Sequence, residues 1–319
     1  MHEPDSGQLQ LRGALLVLLA AALWGTLGTV YTWAKQGFGL TEVTIVFWRA
    51  ALAALALSVV PGGVMPAPGK GRAMLRVRRV DLPIFGMFGL LGVTAFYLLY
   101  IYAVMLVGVA AAVVLLYTAP AFVAVMAWRF LGESPGTRKL AALVLTIVGC
   151  ALVARAYDLS QLRVNAVGIL CGLGSAATYA LYSILGKLSL KRGYSIATMS
   201  FYTFSIGALG LLGAALLTGP GQLLSMGLNP ACWGLLLVLA LAQTLGALAA
   251  YTAALRYLEA GVASILATFE PVVATLLAYF VLHETIQWPQ LLGGGLILSA
   301  AVLLQVRRVA WRRLPLSAE

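Results

Sequence analysis

In ATFEPVVATLLAYF (267–280) a carboxylate, Glu270, stands beside a helix-breaking proline, Pro271, inside an otherwise apolar run. An ionised side chain at the centre of a membrane-crossing helix costs about 2.5–3.5 kcal/mol for Asp, Lys or Arg, so it must face a bundle interior or a wet cavity. There a carboxylate can bind a substrate amine or exchange a proton. It can equally pair with an arginine or satisfy a backbone group freed by the proline. Pro271 and its counterpart Pro120 lack an N–H and clash with the carbonyl four residues back, here Ala267 and Leu116. The expected result is a kink at mid-depth with a free carbonyl, tolerated where protein or a cavity covers it. Either a hinge or a simple packing kink fits.

Arg49, in IVFWRAAL, is the other isolated charge. A guanidinium suits bidentate binding of a carboxylate. The alternatives are snorkelling or an ion pair with Glu42, seven residues earlier on a similar face. Tyrosines and tryptophans form a third set. Trp24, Tyr100, Tyr117 and Tyr182 are expected deep, with Tyr31 nearer an interface. Tyr179 and Tyr182, like Tyr97 and Tyr100, are three apart on one helix face. Gln243 and Thr244, in LALAQTLGAL, mark an inner face.

The elements that must hold these residues follow from composition. The chain has 319 residues, 62% hydrophobic and only 10% charged. A soluble domain carries about 25% charged residues. Apolar runs recur from end to end, which reads as an all-α polytopic membrane protein. A span needs about 20 residues. That length, with the Gly, Pro and charge breaks, gives ten spans, near 13–34, 43–61, 82–104, 109–130, 138–156, 164–188, 196–218, 231–256, 261–282 and 288–306. The first reads as an uncleaved span rather than a secretory signal, because the apolar run is long and its basic flank thin.

The net charge of +11 is distributed by side. One set of loops carries Lys70, Arg72, Arg76, Arg78, Arg79, Arg138, Lys139, Lys187, Lys191, Arg192 and Arg256, and the tail adds Arg307, Arg308, Arg312 and Arg313. Lys35, Arg155 and Arg163 fall opposite. This asymmetry places both termini in the cytoplasm and accounts for the basicity without nucleic acid. Cys150, Cys171 and Cys232 are widely spaced in apolar runs and read as small buried hydrophobes. With His2 and His283 the only histidines, neither a metal site nor a Ser-His-Asp triad is supported. No cofactor is expected.

The sequence repeats. Placed 151 residues apart, Tyr100 meets Tyr251, Leu115 meets Leu266, Pro120 meets Pro271, Trp128 meets Tyr279 and Glu133 meets Glu284. Ala119 stands where the second copy has Glu270, so the carboxylate is not a requirement of the repeat. Two five-span halves, 13–156 and 164–306, followed by a basic cytoplasmic tail at 307–319, are implied. Because five is odd, the second half enters the membrane from the opposite side. Inverted repeats are a signature of secondary transporters, whose substrates bind near the midplane where helices are broken.

Tyr-x-x-Ala, then small residues, a mid-span Pro (Pro-Val in the second copy) and Leu-x-Glu at the span end, occurring twice, resembles the EamA-type members of the drug/metabolite transporter superfamily. The resemblance covers about residues 13–306. It implies a ten-helix bundle of two inverted halves, a central cavity and alternating access, and many such proteins export amino acids or other small polar or aromatic metabolites. The expected site is Glu270, Arg49, Trp24, Tyr100, Tyr117, Tyr182 and Gln243, with Pro120 and Pro271 as helix breaks. The expected partners are a small-molecule substrate, the bilayer and protons. A monomer is sufficient in principle, and a homodimer is compatible. Short loops fit a bacterial inner membrane. Two other classes stay open: a channel-like facilitator, and an intramembrane lipid-modifying enzyme. The enzyme is disfavoured because Asp5, Asp81 and Asp158 are scattered. Glycine triplets at 86/89/92 and 207/210/213, and the pair Gly168 and Gly172, are expected to pack helices closely. Glu133 and Glu284 are expected to cap the turns that follow them.

Overall fold

Proline, glycine and threonine decide where the apolar runs become helices and where those helices stop. A computed structural model describes residues 6–59, 77–134, 136–158, 165–225, 227–282 and 285–305. The basic residues at 70–76 and 307–313, with Arg163, His283 and Glu284, lie outside these. All regular structure among the described residues is helical. Eight of its helices are long and apolar enough to cross a membrane, and Trp288–Leu304 is a shorter apolar one. The helix predicted at 138–156 ends earlier, at Val153, where Arg155 adopts a left-handed conformation (φ 57°).

The first half runs through α1 (Ser6–Gly25), α2 (Leu27–Phe38), α3 (Glu42–Val59), α4 (Leu82–Gly89), α5 (Phe96–Val107), α6 (Val109–Leu116), α7 (Ala119–Leu131) and α8 (Thr137–Val153). The second runs through α9 (Ala166–Lys191), α10 (Ile196–Thr218), α11 (Pro230–Ala240), α12 (Ala247–Ala254), α13 (Ala260–Ala267), α14 (Glu270–Leu282) and α15 (Trp288–Gln305). Wide π turns at Leu90–Ala95 and Leu241–Gly246 join α4 to α5 and α11 to α12. In each, a threonine hydroxyl bonds the carbonyl five residues back: Thr94 to Gly89 at 3.5 Å and Thr244 to Leu239 at 2.8 Å. The interruptions recur at the sequence offset: the second π turn, α13, α14 and α15 each begin 151 residues after the first π turn, α6, α7 and α8.

Packing crosses between halves. Helix α3 lies against α10, α5 and α7 against α9, α1 against α12 and α14, and α8 against α15. In a bilayer lipid is as apolar as leucine, so such contacts rest on close van der Waals fit. Glycine provides it. A Cβ on Gly207 would fall 2.6 Å from Val93, and one on Gly89 2.6 Å from Ile206, while Gly168 and Gly172 admit Val107 and Leu115. Gly86 and Gly213 face open space, so the triplets are only partly used. Helices α8 and α15 meet backbone to backbone, where a Cβ on Gly293 would lie 2.5 Å from the Gly149 carbonyl. Gly293→Ala will therefore destabilise the protein by about 1–3 kcal/mol. The check is a lower melting midpoint in detergent than for Gly295→Ala, whose added carbon meets nothing. Outward faces carry Leu15, Met105, Trp128, Phe130 and Leu217, all exposed, as a lipid-facing surface requires.

At the basic end, buried Asp81 takes Arg78 Nε at 2.9 Å, Arg192 and the Tyr194 hydroxyl, fixing α4 to the α9–α10 turn. Nearby, Gly132 (φ 72°) ends α7 and turns the chain so that Glu133 reaches α13. Its Oε1 accepts from the Ala260 N–H at 2.8 Å and Lys187 Nζ at 3.1 Å, and its Oε2 accepts from the Gly261 N–H at 3.2 Å. Glu133 thus caps a helix of the other half, not the turn that follows it. Burial opposes its ionisation, but these donors hold the carboxyl below the ordinary glutamate range. A depressed folded pKa stabilises above the unfolded value and is lost as pH falls through the folded one. At neutral pH Glu133→Gln will cost about 1–3 kcal/mol. The gap will close as pH falls below about 4.3, as melting curves of both proteins between pH 7 and 3 will read.

Candidate functional site

Helix α13 stops at Ala267 because Pro271 cannot donate to the Ala267 carbonyl. The chain tightens through Thr268 and Phe269, whose N–H groups reach Ile265 O at 3.2 Å and Leu266 O at 3.1 Å. Helix α14 then begins with Glu270, which places the carboxylate at a helix N-terminus, where the peptide dipoles favour negative charge. The first half builds the same break at Tyr117 and Thr118 before Pro120, with Ala119 in place of the glutamate. A third break, at Thr26, separates α1 from α2. At all three a threonine hydroxyl bonds the carbonyl three residues back: Thr26 to Leu23 at 2.7 Å, Thr118 to Leu115 at 2.6 Å and Thr268 to Ile265 at 2.5 Å. Carbonyls that broken helices would leave bare are partly satisfied in this way.

The two breaks before Pro120 and Pro271 line a half-open cavity of about 30 Å³. Leu116, Tyr117, Ala119 and Pro120 wall it from the first half, and Tyr179, Ser264, Ala267, Thr268 and Glu270 from the second. Leu116 and Ala267, the carbonyls predicted to lose their donors, are both in the wall. Among the described residues no hydrogen bond or ion pair reaches the Glu270 carboxylate. It stands within electrostatic reach of Tyr100, Tyr117, Tyr179 and Cys150. Gly25 brings α1 against it: a Cβ there would lie 3.0 Å from the Glu270 carbonyl and 2.7 Å from Val273.

Arg49 is buried, at 4% exposure. Its Nε donates to Thr244 Oγ1 at 3.0 Å and a terminal nitrogen donates to the Tyr31 hydroxyl at 3.2 Å. The guanidinium lies 5.6 Å from the Tyr31 ring centre and 5.3 Å from that of Tyr97. The ion pair with Glu42, one of the alternatives for Arg49, is not formed: Lys35 takes Glu42. Arg49 and Glu270 stand within electrostatic reach without touching. Gln243 donates to Thr26 Oγ1, joining the second π turn to the α1–α2 break, and its buried Oε1 has no partner.

Trp24 packs at a tilt on Tyr251 at 5.7 Å and edge-on to Tyr179 at 6.4 Å, and the Tyr251 hydroxyl meets Ser183 Oγ at 2.9 Å. Of the expected set, Glu270, Tyr117 and Pro120 line the cavity, Tyr100 lies within reach of the Glu270 charge, and Trp24 backs Tyr179. Tyr182 is displaced from it: its ring packs on Phe88 at 4.5 Å, on another side of α9. Ser264 and Thr268 were not expected. The signal for Thr268 was a threonine a few residues before each mid-span proline (TAP, TFEP). Ser264 had none.

A helical membrane protein with a two-half cavity at broken spans is the architecture of a transporter. The chain belongs to the EamA-like transporter family, whose model matches residues 11–155 and 166–306. It is 28% identical over 302 residues to an uncharacterized transporter of Archaeoglobus fulgidus, covering 94% of this chain and 96% of that one. It is 25% identical over 318 residues to a probable terminal-alkyne amino-acid exporter of Streptantibioticus cattleyicolor, covering 92% and 97%. A solved crystal structure superposes with a TM-score of 0.74 at 17% identity, over 94% of this chain and 98% of that one, and so shares the fold.

Proposed function

We propose that this integral membrane protein is a secondary transporter that exports small metabolites, amino acids or related polar and aromatic compounds, by alternating access. Two inverted five-helix halves, 13–156 and 164–306, rock about the cavity at Glu270, with 307–319 as a cytoplasmic tail. Glu270 binds the substrate ammonium or exchanges a proton, and Arg49 receives a carboxylate. Trp24, Tyr100, Tyr117 and Gln243 shape the site, Tyr182 stands behind it against Phe88, and Pro120 and Pro271 serve as hinges. The membrane is the bacterial inner membrane, with both termini cytoplasmic, and the unit is a monomer or homodimer.

One observation carries this reading: a carboxylate without a hydrogen-bond or ion-pair partner among the described residues, at a helix break, in a cavity walled by both halves. Intramembrane ionisable groups mark substrate or ion pathways, and broken helices at a repeat interface are where transporters bind. The recurrence of helix breaks 151 residues apart supports two equivalent halves. The cavity has room for water but not for a metabolite, so substrate entry requires its walls to part. The amino-acid assignment draws on the name of the Streptantibioticus relative.

The test is counterflow in proteoliposomes with labelled amino acids and small amines. Accumulation of a labelled compound only after preloading with it or a competitor establishes a carrier. Flux without counterflow would point to a channel-like facilitator, and turnover of a lipid to the enzyme.

A further inference from the structure

Resting on the transporter reading, we infer that Glu133 and Lys187 form the latch that shuts the basic end of the cavity, and that its release admits substrate from that side. Three elements from both halves meet there. Glu133 follows α7, Lys187 lies on α9, and the capped N–H groups of Ala260 and Gly261 open α13. Lys187 Nζ also donates to the Leu258 carbonyl at 2.6 Å, so the ammonium bridges the carboxylate and the turn before α13. Other ties across this end are Lys139 to Glu259 and Asp81 to Arg192.

The latch is connected to the cavity by short rigid links. Helix α13 has eight residues, about 12 Å long, and the Thr268–Glu270 break follows its far end. Lys187 stands eight residues, about two turns, from the cavity residue Tyr179 on α9. Glu133 therefore pins both walls of the second half to α7, which begins at the first-half break. The charges suit a reversible closure. Their side chains are only 8% and 15% exposed, but they lie at a span end, where water can rehydrate both when they part. At mid-membrane, separating such a pair would strand each charge.

The experiment reads access, not transport. Cys150, Cys171 and Cys232 are replaced by alanine, and Ser264→Cys is added as a reporter in the cavity wall one turn from the latch. A membrane-impermeant maleimide is applied to inside-out and right-side-out vesicles. In the orientation that presents Lys191, checked with Lys191→Cys, Glu133→Ala and Lys187→Met are expected to raise the labelling rate at least about tenfold, the factor one charge-assisted hydrogen bond provides. Glu133→Gln, which keeps an acceptor for α13, falls between. Exchanging the pair, Glu133→Lys with Lys187→Glu, restores opposite charges but sets an ammonium against two N–H donors, so labelling stays fast. Labelling at the unmutated rate in folded Glu133→Ala or Glu133→Gln, or in the exchanged pair, would overturn the latch. Labelling needs no substrate: altered rates without counterflow would sink the transporter reading and leave the closure, whereas counterflow with unaltered rates would do the reverse.

Discussion

Glu270→Gln will lower counterflow by on the order of a hundredfold while leaving the melting temperature nearly unchanged. The asymmetry follows from the geometry. The carboxylate accepts no hydrogen bond and pairs with no cation among the described residues, so an amide of the same shape orphans nothing. The loss is the favourable placement of an anion at the α14 N-terminus, about 0.3–1 kcal/mol, partly offset because a neutral amide is cheaper to bury. Substrate binding has no such offset. Removing one partner of a desolvated charge pair costs about 2–5 kcal/mol, and each 1.4 kcal/mol is a factor of ten. Counterflow and thermal melting on the same preparations separate the two. Wild-type transport by Glu270→Gln at every pH would remove Glu270 from the mechanism, both as an amine ligand and as a proton carrier.

Arg49→Met is expected to abolish discrimination between a carboxylate-bearing substrate and its amide, with a fall of roughly a hundredfold in apparent affinity for the acid. Arg49 is a buried cation that bonds hydroxyls and lies over ring faces, with no carboxylate paired to it among the described residues. Methionine fills much of the volume of its stem. Thr244 still donates to Leu239 after the change, so the π turn keeps its own support. Arg49→Lys will not restore the acid, because an ammonium cannot span two acceptors in one plane. A strut role predicts the opposite pattern: a lower melting point for both variants, and acid and amide carried at an unchanged ratio. Combining Arg49→Met with Glu270→Gln measures how far the two charges act as one unit.

Tyr179 and Tyr182 show what the sequence could and could not place. Three residues apart, they differ by about 60° around the helix. That keeps them on one side but lets different neighbours claim them, the cavity for one and Phe88 for the other. Glu42 was legible as a charge near Arg49 but not as the partner of Lys35, because side-chain reach, not spacing, decided it. Glu133 was legible as a capping residue, yet the helix it caps lies in the other half of the chain. The π turns had no signal at all. Each adds one residue to a mostly apolar helix, and neither Thr94 nor the Gln243–Thr244 pair signals an added residue.

The sequence by itself determined the apolar runs, the proline breaks, their repetition at 151 residues and the single carboxylate beside Pro271. These follow from covalent chemistry and hydropathy, which act residue by residue. Only the tertiary structure decided which faces meet: α8 on α15, Gly25 on Glu270, Glu133 on α13. The physical reason is that lipid and protein interior are equally apolar, so hydropathy marks what lies in the membrane without marking which side of a helix packs against its neighbours.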